Sequence, residues 1–426
     1  MTAIKPEANP YISAYRASVA GAEPDWLRAR RDAAMEHFSG LGFPTRDDED
    51  WRFTNLRRLP KTPVKPVAEP AKQPEFADAH QLSIPTYRLV FGGERAAPIG
   101  GLPPGVWFGT VAETLALRPD LLKSAFDGTD LAGKQPFASL NAAMFKDGAV
   151  LAIDHGVVLA KPIEIVHLHG GSGSYMRNLV LLGEGASATV LESYAGQGAS
   201  YNSHVTIIDL AANANLRHAK LQAVSLETVH LSMTRVRLQQ EASYESLLLS
   251  LGGFLSREDV QVTLEGEGAN FTLNGAYLLK GQQETTFAPF VDHQASGCAS
   301  KQVIKGVVAD QAHGVFLGAI TVRPGADQTD AHQTNRNLLL SSEASIDTRP
   351  ELQILADDVK CSHGATVGDL DETSLFYLQA RGIDAVTSRQ MLIRAFAADI
   401  LDAATLGAEI GGYMQDHLSV WLESLA

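Results

Sequence analysis

Cysteine is almost missing from this chain. Its 426 residues include only Cys298 and Cys361, which excludes a disulfide framework and confines thiol chemistry to two positions. Excess positive charge is also missing, since 35 Lys and Arg stand against 49 Asp and Glu for a net charge of −14. Phosphate backbones and anionic lipid surfaces reward clustered cations, so the default partners are proteins or cations, with no nucleic acid and no membrane. No run of about 18 apolar residues occurs, which leaves no helix to span a bilayer. The opening MTAIKPEANP has no apolar segment after a basic stretch, the mark of a secretory leader, so a reducing cytoplasm is the expected compartment. A phosphate-cradling loop is lacking as well. Neither GEGAS nor GGSGSY is followed by the required lysine, so the chain is expected to bind no nucleotide itself.

What remains is a repeat. With 45% apolar and 20% charged residues the chain reads as a globular protein, too long for one ordinary core. An Ala-centred turn recurs at Ala186, Ala214, Ala242, Ala269, Ala312 and Ala344, at intervals of 28, 28, 27, 43 and 32 residues. Each turn lies between two short apolar-rich strand candidates, and Asn-Gly hairpin signals are scarce, which argues against an antiparallel meander. Stacked coils fit this period better than a β-sandwich. The expected fold class is mainly β, with a parallel β-helix or solenoid core over 140–370, flanked by helical regions at both ends. The 43-residue interval predicts an insertion between Gly281 and Gly297 that loops out of one face.

The flanks differ. Apolar spacing between Asn9 and Phe38, broken at Gly21 and Pro24, predicts two helices. Five prolines in 60–76 predict an extended linker, closing a region 1–80, and a small mixed α/β region 81–139 follows. Over 371–426 three helical segments are expected: Asp371 to Arg381 ended by Gly382, then Asp384 to Ala404, then a segment from Gly411. In the middle one Val386, Met391, Leu392, Ala395, Phe396, Ile400 and Leu401 form one apolar stripe.

Chemistry concentrates in PELQILADDVKCSHGATVGDLD. Alternation from Leu352 to Val359 brings the chain into Cys361 as extended backbone, and residues two apart in a strand share a face. The Cys361 thiol and His363 ring therefore point the same way, a pair suited to iron or zinc or to sulfur transfer. A buried cysteine and a surface histidine are the bland alternatives. Lys360 beside the thiol is expected to favour its thiolate. His167 and His169 form a second pair beside a glycine run, read as exposed turn histidines ahead of a metal site. Cys298 reads as a small buried side chain, and Trp51 with Arg52 as a packed ring under a guanidinium.

The run PELQILADDVKCSHGATVGDLDETSLFYLQARGI, with the earlier NRNLLLSSEASIDT, resembles the C-terminal signature of the SufB and SufD family of iron-sulfur cluster assembly proteins. EDWRFTNLRRL at 49–59 is similar to a motif near the start of SufD-type members, and the N-terminal region lacks the cysteines typical of SufB-type ones. The resemblance implies a non-catalytic scaffold subunit that forms a heterodimer with a SufB-like subunit, or a homodimer when isolated. It implies that the C-terminal helices dock the SufC ATPase. It also places His363 and Cys361 as ligands of a transient iron-sulfur cluster shared with SufB, the metal site completed by the partner subunit. A polysaccharide lyase or hydrolase built on a β-helix is the alternative.

Overall fold

The computed structural model describes residues 10–18, 23–59, 81–92, 101–126, 135–170, 173–402 and 406–425. Eighteen strands, β1 (Tyr87–Phe91) to β18 (Val359–Gly368), fall into two nine-stranded sheets. From β3 (Ala149–Ile153) onward the chain alternates strictly. Odd strands stack in one sheet up to β17 (Ser345–Ile354), and even strands stack in the other from β1 and β4 (Ile163–Gly170) to β18. All pairings are parallel except β2 (Val106–Thr110) with β3. This is a parallel β-solenoid in which every coil lays one strand on each wall.

The turns explain why these residues coil. Along one edge a residue with positive φ precedes each small inward residue: Gly185 before Ala186, Asn213 before Ala214, Glu241 before Ala242, Gly268 before Ala269 and Gly297 before Cys298. The small side chain fits beneath the next coil. The turn N–H of each coil donates to the carbonyl one coil on, as Gly185 to Ala212 at 2.9 Å and Asn213 to Gln240 at 2.8 Å. Inward Val, Leu and Ile from both walls form one continuous core, each contributing about 1.5–3 kcal/mol of burial.

Two expectations about the repeat change. The 43-residue interval contains no looped insertion: β13 (Glu284–His293) is a regular strand paired residue for residue with β11 (Leu255–Leu264). Cys298 occupies the alanine position of the missing turn, fully buried in the core, while Ala312 and Ala344 belong to turns on the opposite edge. Nor is Leu352 to Val359 one strand, because the chain leaves β17 at Ile354, turns, and enters β18 on the other wall.

Helices cover the outer faces. The helices α1 (Pro10–Ser18) and α2 (Asp25–Leu41) flank a break at Pro24, as the spacing predicts. After β2 come α3 (Val111–Leu117), α4 (Pro119–Ala125) and α5 (Pro136–Met144). Phe38, Phe137 and Leu140 pack with Val205, Ile207, Leu231 and Met233 on the outer face of the odd sheet. Trp51 is buried here under a guanidinium, but it belongs to Arg257, 4.1 Å from the ring, and Arg52 is exposed. The 60–76 linker lies outside the described residues.

At the C-terminal end α6 (Glu372–Ala380), capped by Asp371, precedes α7 (Ala385–Asp402) and α8 (Ala408–Glu423). The last two cover the even sheet, where Ile393, Ala397, Ile400 and Leu401 meet Leu247, Ala276 and Val307. The apolar stripe is therefore divided. Ile400 and Leu401 point in, whereas Val386 and Met391 are exposed, because the helix turns the Ile393–Ala397 face to the sheet. Among the described residues no helix is long and apolar enough to cross a membrane.

Candidate functional site

The last coil is open. Among the described residues β17 pairs only with β15 (His313–Val322), and β18 only with β16 (Thr329–Leu339), so both walls end in a strand with one free edge. Free edges offer rows of backbone N–H and C=O to another strand. Ile354, Leu355 and Val367 add exposed apolar surface to this end.

Cys361 and His363 sit on this terminal strand, on its inward-facing side. Cys361 is in register with Ala331, a buried core residue, and packs partly against the core itself. His363 is in register with Gln333, also sealed inside. No described residue covers the coil, so His363 is exposed and Cys361 half-buried. The pair faces the axis of the rod yet lies at its mouth.

The charge expectation for Cys361 is corrected. Burial pushes its thiol up, and the Asp330 carboxylate pushes it further, against a backbone hydrogen bond at Ala331. The neutral thiol is favoured. Lys360 follows the opposite parity and lies on the outer face. There His332 Nε2 meets Asp330 Oδ1 at 2.7 Å, and its Nδ1 shares a hydrogen bond with Ser362 Oγ at 2.6 Å.

The His167 and His169 pair does not sit in a turn. Both are buried inside β4, and His167 stacks between Phe91 and Tyr194 with ring centroids 4.9 Å from each. They belong to an interior ionisable cluster that the spacing alone did not assemble. Lys220 Nζ donates to Glu258 Oε2 at 2.8 Å and also bonds Ser232. His230 Nε2 lies 3.4 Å from Glu258 Oε1, and His218 Nε2 3.7 Å from Glu192 Oε2. Burial alone would raise Glu258, but Lys220 and His230 outweigh it and hold the carboxyl at about 2. Glu192 is held low in the same way by His218 and Lys220. Burial lowers His167 to about 4 and His204 well below the ordinary value, so these rings stay neutral. No group of three His, Cys, Asp or Glu poised to hold a metal occurs among the described residues. The signal that could have found this cluster is parity, since His204, His218, Lys220, His230 and Glu258 all follow the inward phase of their strands.

Comparison with known proteins agrees with this architecture. A family model described as "SUF system FeS cluster assembly, SufBD core domain" matches residues 166–396, and one described as "SufBD protein N-terminal region" matches residues 7–165. The iron-sulfur cluster assembly protein SufD of Escherichia coli is 31% identical over 88% of this chain and 89% of its own length. Protein ABCI7, chloroplastic, of Arabidopsis thaliana is 32% identical over 88% of this chain and 82% of its own. A SufBD family protein of Synechocystis is 31% identical over 94% and 92%. With the solenoid, the flanking helices and these matches together, the chain belongs to the SufBD family of iron-sulfur cluster assembly proteins.

Proposed function

We propose that this chain is a non-catalytic scaffold subunit that pairs, through its open end, with the open end of a SufB-type solenoid. The nascent iron-sulfur cluster is the cargo of the seam between them. His363 and Cys361 supply one imidazole and one sulfur from this side, and the partner supplies the remaining ligands. The observation that carries this reading is the uncapped last coil, where two free strand edges frame both candidate ligands. A single chain offers two soft or borderline donors there, too few to close a metal site. The need for a partner follows from that shortfall. In isolation the same edges support a homodimer.

ATP enters through the SufC ATPase, docked on the C-terminal helices, in the cytoplasm. The support is a set of exposed apolar side chains on two of them: Phe376 is 72% exposed, with Tyr377 on the same helix and Val386 and Met391 on α7 also open. Nucleotide-driven movement of SufC would reach the seam through α6, which directly follows β18. A sugar-cleaving β-helix would need two carboxylates flanking a groove. Glu192 and Glu258 are instead closed inside the rod in contact with cations and imidazoles, which favours the scaffold.

The test is His363→Ala in the reconstituted complex, with partner pairing checked by sedimentation. We expect retained pairing and a loss of cluster yield, read from iron and sulfide content and visible absorbance. Wild-type yield from a properly paired His363→Ala complex would remove His363 from the site.

A further inference from the structure

Gln302 on β14 (Ala299–Val308), Gln333 on β16 and His363 on β18 hold one register position on three successive coils of the even wall. The first two are fully buried inside the rod. Gln333 Nε2 donates to Gln302 Oε1 at 3.1 Å, while Gln333 Oε1, though buried, has no hydrogen-bond partner. An unmet buried acceptor keeps its full desolvation penalty, so its persistence calls for a donor. On the inward side Gln302 Nε2 is likewise buried without a partner, its amide engaging Gln333 through Oε1 instead, and beyond it Leu273 has no donor to offer. The next side chain outward in register is His363.

The opposite wall is shaped for this amide. Gly318 on β15 faces Gln333, and a Cβ there would lie 2.5 Å from its Cδ, Nε2 and Oε1. Any larger residue would displace the amide. A glycine thus reserves the space, and a neighbouring glutamine fixes one end of the amide.

We propose that Gln333 is a positioning residue for His363, its Oε1 accepting the N–H of one imidazole nitrogen. This selects one tautomer and turns the lone pair of the other nitrogen toward the open end. Ligand histidines in metal sites are oriented by such acceptors behind them. The consequence for cluster assembly rests on the reading of His363 given above, but the pairing itself does not.

The experiment uses the full chain with 15N-labelled histidine at about pH 8, where an ordinary imidazole is neutral. His363 signals are assigned by their loss in His363→Asn. We expect one dominant ring tautomer in the wild type, a mixture in Gln333→Met, and restoration of the dominant form in Gln333→Glu, whose carboxylate accepts at the same place. Gly318→Ala, on the opposite wall against the Gln333 amide, should loosen the preference through the displaced amide. An unchanged tautomer ratio in Gln333→Met or Gly318→Ala, with circular dichroism showing the rod intact, would overturn the proposal. The readout needs neither iron nor partner, so a wild-type cluster yield from His363→Ala would remove the site reading and leave this pairing standing.

Discussion

The middle and the end of the rod place the same residue types on inward positions and make different things of them. Around His204, coils above and below seal every side chain, so ionisable groups survive only as neutral rings or tightly paired ions. At β18 no coil follows, and a cysteine and a histidine of the same phase are left open to a neighbour. Position along the stack, rather than residue type or strand phase, separates structural polar groups from candidate ligands.

The largest expected effect comes from unbalancing the sealed region. Lys220→Met leaves Glu258 without its closest cation, and breaking a buried pair on one side costs about 3–5 kcal/mol. Urea unfolding should show the lowered midpoint. Removal of both charges by Lys220→Met with Glu258→Gln should recover much of it. If the single variant were as stable as the wild type, the middle would not be sealed and the contrast would fail.

Acid should act on the middle before the end. His167 has its pKa lowered by burial from 6.5 to about 4, so below 6.5 the unfolded chain binds a proton that the folded chain refuses. Stability therefore falls as pH drops from 6.5 toward 4. Glu258, held at about 2 against an ordinary 4.5, adds stability that is present above 4.5 and lost as pH falls from 4.5 toward 2. Urea midpoints between pH 7 and 4 should decline with a slope that His167→Phe makes shallower. A flat profile would contradict the neutral buried rings.

The smallest effect distinguishes the two thiols. Burial raises both, Cys298 inside the core and Cys361 at the mouth, the latter also through Asp330. Native Cys298 should resist alkylation until the chain unfolds. Cys361 should react more slowly than a free cysteine, and faster in Asp330→Asn as the opposing charge is lost. Mass spectrometry of alkylated peptides over time reads both rates, and equal rates for the two cysteines would erase the distinction between sealed and open positions.

Much of the architecture was legible because a coil is a local device. A left-handed residue followed by Ala186, Ala214 or Ala242 announces its own turn, and the strand phase follows from it. The pattern is masked where a chemically different residue stands in for a repeat residue. Cys298 in an alanine position hides one turn, the Gly325–Ala326 turn falls outside the period, and the Ala312 and Ala344 turns of the opposite edge stand in their place, so a regular strand reads as an insertion. The stripe on α7 misleads for another reason: helical periodicity gives an apolar face, but only the sheet beneath decides whether Ile393 or Met391 meets it.

That Cys361 and His363 share a face follows from local pattern alone, because alternation in a strand is a property of the backbone. Local pattern likewise gives the coil, and composition the scarcity of thiols and the acidic balance. Only the three-dimensional stacking shows that this face looks into the rod, that the described coils end at this strand, and that Lys360 lies on the outer face beside Asp330, whose charge still raises the thiol. The reason is physical. Burial and electrostatic environment are set by which coil lies above and which below, and the neighbouring coil is some thirty residues away along the chain, beyond the reach of any local pattern.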